Sequence, residues 1–332
     1  MVEARFAVAD LRSSGMLWAF GFRDGHVSAL GEEQLSAPVA DWTWSHFALS
    51  DTRSRHFLER DASLPEHVRA VLLNGETRLQ VQSEGAWTFG VLPDFEHEFD
   101  GRIGGGGRLN FAFTDTRLVT SRRHPLHVID CTRRELERDA RAFARPADAV
   151  AALVSGFIDA SEERIREASA KLDHAEDMVL GDRGDLETLK LGPLRRELSG
   201  YHREFAALRS AFHRANSHRN VGRAGALAEL LPPLVLEIED FDRDIAGLQD
   251  RAKLLHDEMD AKLSAAANRS LQALTVMSTL LLPPTLIVGA FGMNVGGIPW
   301  ASDHGGFWES VALCLVTVIA SYALLRVLKV LR

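Results

Sequence analysis

Cysteine is nearly absent from this 332-residue chain, and its two copies, Cys131 and Cys314, lie too far apart for a disulfide framework or a thiolate metal cluster. That usage suits the reducing cytosol. Basic charge is also short: 38 Lys and Arg stand against 46 Asp and Glu, a formal net charge of −8. Duplex binding depends on Lys and Arg to neutralise phosphates, so the balance argues against nucleic acid as a partner. The first thirty residues lack a basic segment followed by an apolar one, so no cleaved leader is expected. The glycine run Gly104–Gly107 lacks the Lys-Ser/Thr of a phosphate cradle and no helical pattern follows it, which predicts a loop between strands. No nucleophile, acid–base pair or cofactor motif stands out, so neither an enzyme nor a cofactor is expected.

Charge is missing altogether from two stretches near the C-terminus. Ser270–Ser302 holds 33 positions and Ser310–Leu325 another 16 without Asp, Glu, Lys or Arg. About 20 apolar residues at 1.5 Å each cross roughly 30 Å of hydrocarbon. The first stretch suffices alone, over about 271–291, and the second reaches the length over about 307–328. The mean hydropathy of −0.07 is therefore an average over two different materials. Lys262 and Arg269 precede the first span and Arg326, Lys329 and Arg332 follow the second, whereas the link at 292–306 carries Asp303 and Glu309. Lys and Arg stay on the cytoplasmic side, which predicts both termini inside and Trp300, Phe307 and Trp308 at the outer interface of the bilayer.

The remaining chain reads as two cytoplasmic parts, an α/β domain over 1–145 and a helical bundle with a stalk over 146–269, ahead of a transmembrane hairpin over 270–332. Leu17–Phe22, His26–Leu30, Trp42–Leu49, Arg78–Gln82, Trp87–Leu92, Leu109–Thr114 and Arg117–Ser121 have strand composition, and Pro65–Leu73 and Arg133–Phe143 look helical. Helix formers then run through Asp148–Leu180 and Pro193–Ala215. Leu234, Phe241, Leu248 and Leu255 recur every seven residues, with Ile238, Ile245, Ala252 and Met259 four positions later, a heptad seam that opens at Pro232-Pro233. Neither Gly nor Pro interrupts Asp260–Arg269, so one helix is expected from the seam into the first span, with self-association the usual source of partners for the seam and an antiparallel hairpin within one chain the alternative.

Two acidic groups are candidate regulatory cation sites. Asp94, Glu96, Glu98 and Asp100 alternate with Phe95, His97 and Phe99, so in a strand the four carboxylates share one face, and oxygen clusters attract hard dications. Glu237, Glu239, Asp240, Asp242 and Asp244 crowd the stalk beside the seam. The histidine pairs His124/His127 and His213/His218 come without cysteine partners or a metalloprotease spacing, so no structural zinc site is expected there.

Along the first span, steps of three and four from Asn268 reach Leu271, Thr275, Ser278, Leu282, Thr285, Gly289 and Gly292. Most small and hydroxyl residues of the segment fall on this stripe. Such a face serves close helix packing or lines a water-filled path, with Leu271 and Leu282 as apolar constrictions. The span ends in Gly292-Met293-Asn294, followed by Val295-Gly296-Gly297-Ile298-Pro299. Together with Pro283-Pro284-Thr285, a short outer link, a second span, a basic C-terminus and a long stalk helix, this resembles the CorA family of divalent-cation transporters. The likeness is strong over the C-terminal hundred residues and architectural before them.

The resemblance implies a homopentameric funnel in the bacterial inner membrane, five first spans around a central pore, and Gly292, Met293 and Asn294 as the selectivity motif at its outer mouth. Gly-Gly-Ile-Pro after Asn294 looks like the ZntB zinc-transporter branch, which implies Zn²⁺ uptake linked to the proton gradient. Met293 is the middle residue typical of the magnesium proteins, which keeps Mg²⁺, Co²⁺ or Ni²⁺ as the alternative cargo. A neutral amide ring from Asn294 can hold the waters of a hydrated dication without trapping it, as carboxylates would. Asp303 and His304 in the link supply N/O ligands that zinc accepts. A tethered coiled-coil scaffold or sensor is the reading from a different class.

Overall fold

The structure is a computed structural model in which residues 15–36, 40–73, 78–97, 103–181, 191–217, 226–293 and 305–328 are described. The chain divides into two compact units, Met1–Asp177 with Lys190–Lys253, and Met178–Leu189 with Leu254–Arg332.

The first unit holds a seven-stranded sheet made of β1 (Met16–Arg23), β2 (His26–Ala29), β3 (Trp42–Ala48), β4 (Gln80–Glu84), β5 (Trp87–His97), β6 (Ile103–Phe113) and β7 (Arg117–Arg122). The strands lie in the order β2-β1-β3-β7-β6-β5-β4. Every pairing is antiparallel except β3 with β7, which run parallel in the register Thr43↔Arg117 to Ala48↔Arg122. Each of the seven strand segments expected from composition carries a strand.

Helices α1 (Thr52–Arg60) and α2 (Glu66–Leu73) connect β3 to β4, and their Leu58, Val68 and Leu72 are buried in one core with Ala19, Phe47, Phe89, Ala112 and Val119. α1 has no counterpart in the sequence reading. Phe57 and Leu58 are its only apolar residues, too few for a helical period, and its start is fixed by Asp51, whose carboxylate accepts from the Arg53 N–H at 2.9 Å. Alternate strand positions point to the other face, where Trp18 stacks on His46 at 4.9 Å and Trp44 donates to Thr120 Oγ1 at 3.0 Å.

Two expectations are corrected here. Gly104–Gly107 is not a loop but the first part of β6, paired with β5 through Asp94↔Gly107 and Phe95↔Gly106. A Cβ on Gly107 would sit 2.4 Å from Leu126 Cδ2, so the missing side chain is what lets α3 (His127–Arg138) close over the strand. That helix begins six residues before the expected Arg133 and stops at Arg138, with Ala140–Ala142 forming a separate 3-10 turn.

The long helices α4 (Pro146–Leu180), α5 (Leu191–Ser217) and α6 (Ala226–Phe291) follow. Rings link the sheet to them in sequence: Phe95 to Phe157 at 5.0 Å, Phe157 to Phe205 at 5.4 Å, and Phe205 to Phe241 at 4.7 Å. Leu234, Ile238, Phe241, Ile245, Ala252, Leu255 and Met259 of the heptad seam are buried within a single chain. Along its length Ser155 and Arg251 tie α6 to α4, and Gln249 ties it to Ser199 of α5. As far as Ala252 the seam therefore takes its partners from α4 and α5 of the same chain. A heptad repeat records that a helix face is covered and carries no information on which chain covers it.

In the second unit, the later part of α6 and helix α7 (Gly306–Val327) are, among the described residues, the two helices long and apolar enough to cross a membrane. Pro283 and Pro284 do not interrupt α6. The apolar side chains of both helices stand exposed, among them Leu282, Leu286, Phe307 and Trp308. Such surfaces call for lipid or further helices around them.

Candidate functional site

The stripe residues Asn268, Leu271, Thr275, Ser278, Leu282, Thr285 and Gly289 all lie on α6 and all are exposed. The half-buried positions of the same segment are Val276, Thr279, Leu280, Pro283, Pro284 and Ile287. At 100° per residue these two sets fall on roughly opposite sides of the helix. The half-buried side faces α7, where Cys314 Sγ lies 3.9 Å from the Pro284 carbonyl. The stripe thus lies within the wide part of the helix that the chain leaves uncovered, beside Leu274, Met277, Leu281, Leu286 and Val288.

Its two threonine hydroxyls are satisfied locally. Thr275 donates to the Leu271 carbonyl at 2.8 Å and Thr285 to that of Leu281 at 2.7 Å, which leaves oxygen lone pairs directed off the helix. Near the end of the span Leu282, Thr285, Leu286, Gly289, Ala290 and Met293 line an apolar groove of about 560 Å³. α6 stops at Phe291, and the Gly292 N–H closes the last turn on the Val288 carbonyl at 2.9 Å. A Cβ at 292 would approach that carbonyl oxygen to 3.2 Å, tighter than ordinary contact, which suits a glycine there. Met293 is exposed. Asn294, Asp303 and His304 lie outside the described residues.

The acidic candidates separate. Asp94 is buried, and its carboxylate accepts from the backbone N–H groups of Val128, Ile129 and Phe95 at 2.8, 3.1 and 2.6 Å. Burial pushes its pKa up to about 6, against the pull of those three donors. It anchors the first turn of α3 and has no free face for a cation. A register shift between Phe95 and His97 breaks the alternation that would align Glu96 with it, and Glu98 and Asp100 lie outside the described residues. In the stalk four of the five carboxylates have their own neighbours. Glu237 accepts from Ser155, Glu239 pairs with His213 at 2.7 Å, Asp240 with Arg243 at 3.1 Å, and buried Asp242 with His202 and Arg209 at 2.9 Å each. Asp244 is exposed. Among the described residues, no three His, Cys, Asp or Glu side chains are already gathered around a point that would hold a metal ion.

One pairing runs against expectation. His127 does have a cysteine partner: Cys131 Sγ lies 3.5 Å from its Nε2, one helical turn on. The i, i+4 spacing was present in the sequence, but a helix placed from Arg133 hid it. Burial lowers the pKa of His127 and raises that of the Cys131 thiol.

The comparisons with known proteins follow the same lines. Residues 39–327 match the family described as CorA-like Mg²⁺ transporter protein. The zinc transport protein ZntB of Yersinia enterocolitica serotype O:8 / biotype 1B is 26% identical over 283 residues, 83% of this chain and 83% of that protein. Among solved structures, the full-length CmaX protein superposes with a TM-score of 0.80 at 20% identity, covering 96% of this chain and 98% of the other. The complete CorA magnesium transporter from Methanocaldococcus jannaschii gives 0.68 at 18% identity, over 93% and 96%.

Proposed function

The chain belongs to the CorA-like Mg²⁺ transporter protein family, divalent-cation transporters and not enzymes, and from that premise we propose that it carries Zn²⁺ into the bacterial cytoplasm. The observation that carries the reading is the uncovered stripe of α6. Seven positions from Asn268 to Gly289 present small groups, hydroxyls and two leucines on a face that α7 leaves open. In a homopentamer, five such faces enclose a path with Leu271 and Leu282 as its narrow apolar rings and hydroxyls between them.

Gly292, Met293 and Asn294 form the outer mouth in this reading. Asn294 presents an amide carbonyl to the water shell of the ion, Gly292 ends the helix, and Asp303 and His304 concentrate zinc in the link. Both termini lie in the cytoplasm, where the excess of Lys and Arg keeps them. The membrane potential contributes roughly 4.6 kcal/mol per 100 mV to inward movement of a dication, and a proton gradient adds to it. The cytoplasmic carboxylates have no part in the path.

Uptake of radiolabelled zinc into proteoliposomes tests the proposal. Asn294→Ala is expected to abolish it, and transport at the wild-type rate would overturn the assignment of the mouth. Mg²⁺ is the second cargo to consider, favoured by Met293 and by the family description. Competition of Mg²⁺, Co²⁺ and Ni²⁺ against zinc flux in the same vesicles distinguishes the two, since a zinc carrier is inhibited least by Mg²⁺.

A further inference from the structure

We propose that the junction of β5 and α3 is a binding site for a borderline-soft divalent cation of the zinc type, with His127, Cys131 and His97 as its ligands. His127 and Cys131 occupy the same face of α3 one turn apart, and their Nε2 and Sγ atoms are 3.5 Å from each other. Zinc bonds of about 2.05 Å to nitrogen and 2.3 Å to sulfur, meeting at a tetrahedral angle, place the two ligand atoms about 3.6 Å apart. The pair already stands at the edge length of a zinc tetrahedron.

A third donor lies beside it. The ring of His97, at the end of β5, meets that of His127 edge-on with 5.2 Å between centroids. Its Nε2 is turned toward Asp130 Oδ2 at 4.0 Å, and as a third ligand His97 would exchange that neighbour for the metal. Asp130 itself is held by Arg122 at 3.2 Å. Arg134 places a guanidinium nitrogen 3.6 Å from the sulfur. The backbone beneath is fixed, because the Asp94 carboxylate on β5 holds the N–H groups of Val128 and Ile129 on α3. A sulfur and two imidazoles select zinc, cobalt or nickel and offer nothing to Mg²⁺, which takes oxygen ligands.

The site is independent of the transport reading, because binding is read in detergent where no flux occurs. The purified full chain with Cys314→Ser is alkylated with iodoacetamide, with and without ZnCl₂, and modification of Cys131 is followed by mass spectrometry. Zinc is expected to slow labelling of Cys131 at least tenfold and MgCl₂ at the same concentration to leave it unchanged. His127→Ala and His97→Ala are each expected to remove the protection, and Co²⁺ to give a thiolate-to-metal absorption band that Cys131→Ser lacks. Labelling of the otherwise unaltered protein at the same rate with and without zinc overturns the proposal, as does equal protection by Mg²⁺. That comparison needs no substitution at the site, so a variant that fails to fold does not rescue the idea.

Discussion

Asp94 and Val128, 34 positions apart in sequence, are joined by a hydrogen bond of 2.8 Å from the backbone N–H of α3 to a buried carboxylate on β5. The same carboxylate takes the N–H of Ile129, so one side chain satisfies two of the four donors that the first turn of a helix leaves open. Leu126, at the cap position, has no side-chain acceptor of its own. Asp94→Ala is therefore expected to cost about 2–3 kcal/mol in chemical denaturation, and Asp94→Asn, which keeps one acceptor oxygen, about half of that.

The same residue sets a pH dependence. Its pKa is raised from the ordinary 3.8 to about 6, with burial the largest cause, so the folded chain holds this proton more tightly than the unfolded one. The stabilisation is complete below pH 3.8 and is lost as pH rises through about 6, on the order of 3 kcal/mol. Stability curves from pH 4 to 7 should lose this slope in Asp94→Asn.

His46 works in the opposite sense. Burial, then Arg122 and Arg133, hold its pKa well below 6.5, and its Nε2 has no hydrogen-bond partner among the described residues. The folded state prefers the neutral ring, so its contribution is complete above pH 6.5 and is lost as pH falls. His46→Gln should flatten the decline in stability between pH 6.5 and 5, measured as the difference from the parent chain.

Gly90 gives a steric test. A Cβ there would lie 1.9 Å from the Gln80 carbonyl oxygen and 2.8 Å from its carbon, on the paired strand β4. Backbone on both sides cannot yield without breaking the pairing, so Gly90→Ala should cost about 3 kcal/mol or more, or prevent folding. Gly105, with nothing within 4 Å of the same construction, should accept alanine within about 0.5 kcal/mol.

For the heptad seam, Ile245→Ala is expected to destabilise the fold by about 2–4 kcal/mol, because Ile245 is wholly buried. The loss should be the same at every protein concentration. A seam closed between copies would instead give a loss that shrinks as concentration rises.

The parts of the chain that were legible beforehand are those where one physical signal dominates. Leu271–Phe291 announces a membrane span by the absence of charge, and Trp42–Leu49 a strand by its aromatic and apolar content. The uncovered stripe of α6 was readable as a stripe, since position on a helix follows from spacing alone. Gly104–Gly107 failed because glycine signals both a turn and a strand on which another element closes, and only Leu126, packed against Gly107, distinguishes them. Asp94 and Glu96 do not share a face as the alternation predicts, because alternation assumes an even pleat and the shift after Phe95 breaks it. His127 and Cys131 were overlooked through a boundary error of six residues, enough to hide a one-turn relationship.

The single parallel pairing of the sheet bears on how the chain is made. β3 lies between β1 and β7, so one of its two edges stays open until residues 117–122 have been synthesised and delivered to it. During that interval a strand carrying Trp42, Trp44 and Phe47 presents unpaired N–H and C=O groups to whatever lies nearby. Closure waits on a contact between segments distant in sequence, the slow kind of step in folding. A nascent chain stalled before residue 117 is the form of this protein most in need of a chaperone.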